Sequence, residues 1–296
     1  MISIVICSVN THFLTQIKEN ISTTLGVPYE LLVWDNRSSN KGLCEVYNNM
    51  AAQARFPYIC FIHEDVLMRT NNWGRLLIDI FEQDELVGLI GVAGGKYKSR
   101  AFSGWYCGHN DLDCMHLTHR TNGQDHLLSS PVNNTKPVHE VICIDGVFMV
   151  CRKTIWERIR FDEVLLKGFH LYDIDFSLRT ARVCKNVVIM NLDIVHITAN
   201  VGDYSDNWVK ETIMHHEKRK EMLPAFVKGI ATDNLEVHIA KVWMDALKAR
   251  RISWHYKRKW ILNQKLLSKP VLWYPVLKFL LYQPLGLKSI HKLFKK

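Results

Sequence analysis

The stretch ICFIHEDVLM, residues 59–68, decides how the rest of the chain is interpreted. It begins as a short apolar run typical of a buried strand, then presents His63, Glu64 and Asp65 before turning apolar again. Alternate side chains of an extended chain share a face, so His63 and Asp65 should point together while Glu64 points away. Such a pair can help to hold a hard divalent cation bound to phosphates, or the three residues form only a solvated acidic turn.

Strand and helix patterns alternate around this stretch. The predicted strands cover residues 2–9, 31–34, 58–62, 87–92, 141–151, 187–190 and 193–197. The predicted helices cover residues 11–25, 43–55, 154–159, 173–184 and 208–227. This alternation predicts an α/β fold with a mostly parallel sheet, whose ligands bind at the carboxyl ends of the strands. Residues 109–140 show little periodicity and predict a long loop.

Three further acidic residues lie at the ends of predicted elements. Asp35 ends a strand, where its carboxylate can accept hydrogen bonds from a base or ribose, or can simply start a turn. Asp173 and Asp175 lie where a loop enters a helix, and acids there can cap the helix and complement its dipole. A cap needs only one of them, so the other is available for chemistry.

The histidines of the second half divide into two groups. His196 lies in an apolar predicted strand, where a single histidine is more often a core residue than a ligand. His215 and His216 are adjacent on a charged predicted helix, where neighbouring side chains point about 100° apart and make a poor metal pair. We therefore expect His215 and His216 to lie at the surface.

In their order along the chain, these pieces resemble the family 2 glycosyltransferases of the GT-A fold, and more narrowly bacterial members whose acidic motif begins with His. The resemblance rests on ISIVICSVN, LLVWDNRSSN, the helix of residues 43–54 with Tyr47 and Asn48, FIHEDV, DGVFMVCRKTIWERIRFDE, YDIDFSLR and DIVHIT. It implies a GT-A domain over residues 1–227. It also implies transfer of a sugar from a nucleotide-diphosphate sugar, with inversion, to a glycan or lipid-linked acceptor in bacterial surface polysaccharide synthesis.

The resemblance assigns individual residues to the binding site of the sugar donor. It places Asp35 against the nucleotide and His63-Glu64-Asp65 where the family has Asp-x-Asp, with Asp65 holding the Mn²⁺ or Mg²⁺ that bridges the diphosphate. It makes His63 and His196 further metal or diphosphate ligands. His63 replaces an acid, which removes one negative charge from the site.

The resemblance also assigns a catalytic base and an acceptor side. Asp173 aligns with the family's catalytic base, which deprotonates the acceptor hydroxyl. Tyr172 stands where glutamate is usual. The acceptor side comprises Trp105, Asp145, Gly146 and Asp175. Trp105 is a platform for stacking a sugar, or a core aromatic residue.

Two alternatives to this activity remain open at this point. One is a retaining or phosphate-sugar transferase on the same fold. The other is a non-catalytic nucleotide-sugar or glycan-binding protein with a degenerate site, which His63 and Tyr172 favour because both replace acids.

The basic charge of the chain is concentrated at its C-terminal end. Residues 248–296 contain 13 Lys and Arg and no acid, leaving 25 basic against 29 acidic residues elsewhere. We predict a basic, aromatic, mainly helical extension over residues 228–296 that lies on an anionic membrane surface, without binding nucleic acid. The alternatives are a helical subdomain packed on the catalytic domain and a nucleic-acid-binding tail. Its longest apolar run, residues 271–287, is interrupted by Lys278, Pro275 and Pro284 and is too broken for a good spanning helix.

Cysteine usage and the first residues indicate the compartment. The eight cysteines form no CxxC pair and mostly lie in apolar runs, which predicts reduced thiols. The sequence MISIVICSVN lacks a basic segment and a small-residue cleavage site, which argues against secretion. We therefore expect a cytoplasmic protein, peripheral on the inner face of the cell membrane.

Overall fold

The computed structural model describes residues 1–130, 136–198, 204–232, 234–248 and 250–281. Its strands are β1 Ile2–Ser8, β2 Tyr29–Asp35, β3 Tyr58–Ile62, β4 Val66–Met68, β5 Val87–Gly91, β6 Ala93–Gly95, β7 Tyr97–Lys98, β8 Asp113–Thr121, β9 Gln124–Ser129, β10 Val138–Val141, β11 Cys143–Ile144, β12 Phe148–Arg152, β13 Lys185–Ile189, β14 Ile194–Ile197 and β15 Ala225–Phe226. Its α-helices are α1 Thr11–Thr24, α2 Leu43–Ala51, α3 Trp73–Gln83, α4 Lys153–Ile159, α5 Tyr172–Thr180, α6 Asp206–Arg219, α7 Leu235–Lys248, α8 Trp254–Asn263 and α9 Trp273–Leu281.

A seven-stranded sheet in the order β10-β13-β5-β12-β3-β1-β2 forms the centre of the molecule. Pairing of β1 with β2 and β3, and of β13 with β5, is parallel, while β12 and β10 run the other way. Five of the seven strands therefore share one direction, and their carboxyl ends form one edge. The start of β12 lies at the same edge because Phe148 pairs with Ile62, the last residue of β3. The mostly parallel α/β sheet predicted from the sequence is confirmed.

A second, six-stranded sheet has the order β11-β6-β8-β14-β4, with β9 paired to β8. Its strands β4, β6 and β14 follow β3, β5 and β13 along the chain, so it continues from that edge. Its strands β8 and β9 form an antiparallel hairpin, and β10 follows within the same segment. The prediction of a long loop over residues 109–140 is therefore wrong for the residues that the structure describes there. The hairpin was missed because its outer strand is almost wholly exposed and has no apolar face.

The C-terminal helices α7, α8 and α9 are packed against the sheet domain. Trp243, Trp260 and Phe279 are at most 2% exposed and belong to the same apolar cluster as Phe61 of the central sheet. The helical character predicted for this part is confirmed over the described residues. None of the helices in the described ranges is long and apolar enough to cross a bilayer. The eight cysteines are unpaired in the structure, and six of them are buried.

Candidate active site

The acidic motif after β3 is held by backbone and side-chain hydrogen bonds. The His63 N–H donates to the Val147 carbonyl at 3.2 Å, which ties the motif to the residue before β12. The Glu64 carboxylate turns back and accepts from Ser8 Oγ at 2.6 Å and from the Asn10 N–H at 3.1 Å. Glu64 therefore points away from its neighbours, as the sequence predicts, and fastens the turn to the end of β1.

Three side chains from two strand ends form a candidate metal centre. The ligand atoms of His63, Asp65 and His196 all lie within 4.8 Å of one another. Asp65 Oδ1 is 4.0 Å from His63 Nδ1 and 3.4 Å from His196 Nε2, and it has no hydrogen-bond partner within the described part of the chain. A buried carboxylate oxygen without a partner is costly unless a cation or donor reaches it. His196, the single histidine in the apolar strand β14, therefore lies beside the His63-Glu64-Asp65 motif.

Electrostatics around this centre suit a bound cation. Burial lowers the pKa of His63, outweighing the attraction of Asp65, so its imidazole is neutral at pH 7 with a lone pair available. Burial disfavours ionised Asp65, yet the nearby imidazoles of His196 and His63 keep its pKa below the usual value. Imidazole nitrogen with one carboxylate fits Mn²⁺ better than Mg²⁺, which prefers oxygen ligands.

The candidate base lies beside this centre at the start of α5. The Asp173 carboxylate accepts from the Gly146 N–H at 2.9 Å. Burial, together with the smaller effect of the nearby Asp145 charge, raises the pKa of Asp173 to about 7. A carboxylate with a pKa near 7 is suited to accept a proton at neutral pH.

Tyr172 makes a contact that sequence patterns did not reveal. Its hydroxyl lies 2.8 Å from His63 Nε2, so the second ring nitrogen of His63 is engaged and Nδ1 faces Asp65. Gly146 leaves room for this hydroxyl, because a Cβ there would lie 2.1 Å from it. Tyr172 therefore orients His63.

A cavity of about 650 Å³ opens beside these groups. Predicted residues that line it are His63, Trp105, Asp145, Gly146, Asp173 and His196, and Trp105 Nε1 donates to Asp145 Oδ2 at 2.6 Å. The lining residues that sequence reasoning missed include His119, Tyr204, Trp208 and Trp243. His119 pairs in register with His196 across β8 and β14, so recognition of β8 as a strand would have indicated it. Nothing in the local pattern indicates Trp243, which arrives from α7.

Four predicted site residues lie outside the cavity lining, namely Asp35, Glu64, Asp65 and Asp175. Asp35 ends β2 at the ligand-binding edge, but its side chain is 54% exposed and paired with Arg37. Asp175 is 1% exposed and accepts hydrogen bonds from Arg179 and Arg219, so the expectation that it lines the acceptor side is wrong. The period of α5 explains this, because positions two apart point in nearly opposite directions.

The expectation that His215 and His216 lie at the surface is also wrong. They are 0% and 2% exposed, because this face of α6 packs against the interior. His215 Nε2 lies 3.4 Å from Asp175, and His216 Nε2 lies 2.8 Å from the buried Lys98 ammonium. Both histidines therefore belong to a structural polar network, not to the cavity.

Comparison with known proteins identifies the class. A model described as "Glycosyltransferase like family" matches residues 3–222, so the chain belongs to this family. The structure is similar to that of GalNAc-T7 solved with UDP, GalNAc and Mn²⁺, at 10% identity and a TM-score of 0.52. That match covers 80% of this chain and 53% of GalNAc-T7, so this chain corresponds to about half of that protein.

A second solved structure is similar to this chain with a TM-score below 0.5. It is a mannosyltransferase from Pyrobaculum calidifontis in complex with GDP-Man and Mn²⁺, at 13% identity with a TM-score of 0.47, and the match covers 100% of this chain and 87% of that one. A search of the curated proteins found no match. The resemblance stated from the motifs is confirmed, and the fold is that of the GT-A glycosyltransferases.

Proposed function

We propose that this protein is an inverting glycosyltransferase. It transfers a sugar from a nucleotide-diphosphate sugar to a hydroxyl of a glycan or lipid-linked acceptor, in bacterial surface polysaccharide synthesis. The observation that carries this proposal is the meeting, at one sheet edge, of the His63–Asp65–His196 cluster with the separate carboxylate of Asp173. UDP with Mn²⁺ in GalNAc-T7, which shares the fold, supports the donor class and the metal.

The side chains divide the reaction between them. Asp173 accepts the proton of the acceptor hydroxyl as the acceptor oxygen bonds to C1 of the donor sugar. The bond from C1 to the diphosphate oxygen breaks, and the nucleoside diphosphate leaves with the electron pair. A divalent cation held by His63, Asp65 and His196 would offset the charge of that diphosphate. Asp35 contacts the nucleotide in this arrangement.

A thermal-shift screen tests the donor site. The protein is heated with each common nucleotide diphosphate and its sugars, in Mn²⁺, Mg²⁺ or EDTA, because a ligand of the native state raises the midpoint. We expect one nucleotide family to raise it in Mn²⁺, with loss of the shift in EDTA and in Asp65→Ala. Asp79→Asn, on the outer face of α3, is the control variant. No shift with any donor would contradict the proposal.

A non-catalytic binder with a degenerate site is the second candidate. It is favoured by the pairing of His63 with Tyr172, since both stand where acids are usual. Asp173→Asn separates the candidates. The enzyme should lose transfer and keep donor binding, whereas a binder shows no turnover in the unaltered protein.

We also propose that the C-terminal helices lie on the anionic cytoplasmic face of the cell membrane. The apolar residues exposed there by half or more are Leu262, Leu267, Val271, Trp273, Tyr274, Leu277 and Leu281. Lysines at 265, 269 and 278 lie among them, and each cation near an anionic surface contributes about 1 kcal/mol. Residues 282–296, the end of the predicted basic extension, lie outside the described residues.

Vesicle co-sedimentation tests this surface better with substitutions than with truncation, because Trp260 and Phe279 are core residues. We expect Trp273→Ser with Tyr274→Ser to weaken binding to phosphatidylserine vesicles. Leu86→Ser, at an exposed apolar position far along the chain, is the control. Equal binding of the double variant and the unaltered protein would refute the membrane role.

A further inference from the structure

We propose that the acceptor group bound in this site is the pyranose ring of an uncharged sugar, held in an aromatic chamber that α7 completes. The inference rests on the proposed glycosyl transfer and narrows its acceptor. It favours a glycan end, or a sugar already attached to a carrier, over a bare lipid phosphate. The chamber is defined as the part of the cavity lined by Trp105, Tyr106, Tyr204, Trp208 and Trp243.

The aromatic rings of the chamber form two packed groups. Trp208 and Trp243 stack with ring centroids 5.1 Å apart and planes 7° apart, and Tyr204 meets both edge-on. Trp105 meets Tyr106 edge-on at 5.8 Å, and its indole N–H is fixed by Asp145. Aromatic faces suit the apolar C–H face of a pyranose, while nearby carboxylates accept hydrogen bonds from its hydroxyls.

Helix α7 is fastened to β7 and to the loop that carries Trp105 and Tyr106. Glu236 at its start accepts from Tyr97 Oη at 2.7 Å and Ser99 Oγ at 2.8 Å. Further along, Trp243 Nε1 donates to the Tyr106 carbonyl at 2.9 Å. Gly104 permits this approach, because a Cβ there would lie 2.9 Å from the Trp243 ring. The chamber is therefore preorganised by contacts between distant parts of the chain.

The charge of the lining decides what kind of acceptor fits. Among the described residues that line the cavity there is no Lys or Arg, and its acids include Asp145 and Asp173. The Arg250 guanidinium lies over the Tyr204 ring at 5.6 Å, and Arg250 is not part of the lining. A phosphate or carboxylate acceptor would lie against these carboxylates, and a cation held by His63, Asp65 and His196 would already offset the charge of the diphosphate. Such an acceptor would therefore lack a paired cation of its own, which is unfavourable.

The presence of a catalytic base also favours a sugar hydroxyl over a phosphate as the acceptor. A phosphate oxygen is already ionised at neutral pH and needs no proton acceptor, whereas a sugar hydroxyl does. The carboxylate of Asp173 serves that need at the chamber wall, taking the proton as the acceptor oxygen bonds to C1 of the donor sugar and the nucleoside diphosphate departs. The volume of about 650 Å³ also falls within the range of roughly 300–1,000 Å³ common for small-molecule sites.

The test compares acceptors in the presence of donor and Mn²⁺. The neutral probes are octyl glucoside, octyl galactoside and octyl N-acetylglucosaminide; the charged probes are octyl glucuronide and farnesyl phosphate, and water reports donor hydrolysis. We expect transfer to at least one neutral glycoside and none to the charged probes. Transfer to farnesyl phosphate or the glucuronide, without transfer to any neutral glycoside, would overturn the inference and leave the proposed function standing. Absence of both hydrolysis and transfer would count against the proposed function itself.

Variants test the chamber on the neutral glycoside that is used best. Loss of a stacking face should raise the acceptor KM about tenfold or more in Trp105→Ala. Trp243→Phe keeps the core filled and should raise the same KM less. Trp254→Ala, at an exposed tryptophan on α8, should change neither KM nor kcat. An unaltered acceptor KM in both chamber variants would overturn the assignment, even if kcat fell.

Discussion

The two carboxylates of α5 should respond in opposite ways to loss of their charge. Asp175 is 1% exposed and accepts from Arg179 Nε at 2.7 Å and Arg219 Nε at 2.6 Å. Asparagine there leaves the Arg179 guanidinium without its anion and leaves Arg219 with Asp162 alone, and breaking such a buried pair costs about 3–5 kcal/mol. With roughly 2 °C lost per kcal/mol in a chain of this size, Asp175→Asn should lower Tm by about 6–10 °C.

The negative charge of Asp173, unlike that of Asp175, lowers the stability of the fold. Its pKa of about 7 lies above the unfolded value near 3.8, so its ionisation destabilises the fold as pH rises through that interval. Asp173→Asn should therefore raise Tm at pH 8, raise it less at pH 5, and match the unaltered protein only below pH 3.8, where the carboxyl is protonated in both states. It should lower transfer by about 10²–10⁴-fold because the proton acceptor is lost. The pKa of Asp175 is lowered instead, so its stabilisation is complete above the unfolded value and disappears as pH falls below it.

Scanning calorimetry at pH 8 and pH 5, with a transfer assay at pH 8, measures both effects. Asp79→Asn is the matched control, since Asp79 is paired with Arg75 on an outer helix face and should shift Tm by about 1 °C or less. The reasoning fails if Asp173→Asn lowers Tm as much as Asp175→Asn does. It fails equally if Asp175→Asn abolishes transfer without lowering Tm.

Two further variants test the surroundings of the base and the metal centre. Gly146→Ala places a Cβ 2.1 Å from the Tyr172 hydroxyl, so His63 should lose its orienting partner and Mn²⁺ should bind more weakly in calorimetric titration. Unchanged Mn²⁺ affinity would show that this hydroxyl does not orient the ligand. Asp145→Asn removes a charge that raises the pKa of Asp173, so the acidic limb of the transfer–pH profile should move to lower pH. An acidic limb at the same pH in both proteins would show that the charge of Asp145 does not raise the pKa of Asp173.

The sequence by itself determined the α/β class and the edge at which ligands bind. Local periodicity is enough for this, because a buried strand such as residues 58–62 needs only its own apolar run and a polar end to be recognised. Since parallel strands present their carboxyl ends together, Asp35 and the His63–Asp65 motif were placed correctly at one edge.

Only the tertiary structure decided which of the candidate side chains act together. Patterns gave no reason to bring His196 to Asp65 while His215 enters the core, or to separate Asp173 from Asp175. These outcomes depend on packing between elements far apart in the chain, which local spacing does not encode. Trp243 is the clearest case, because it reaches the chamber by bonding to a carbonyl 137 residues earlier.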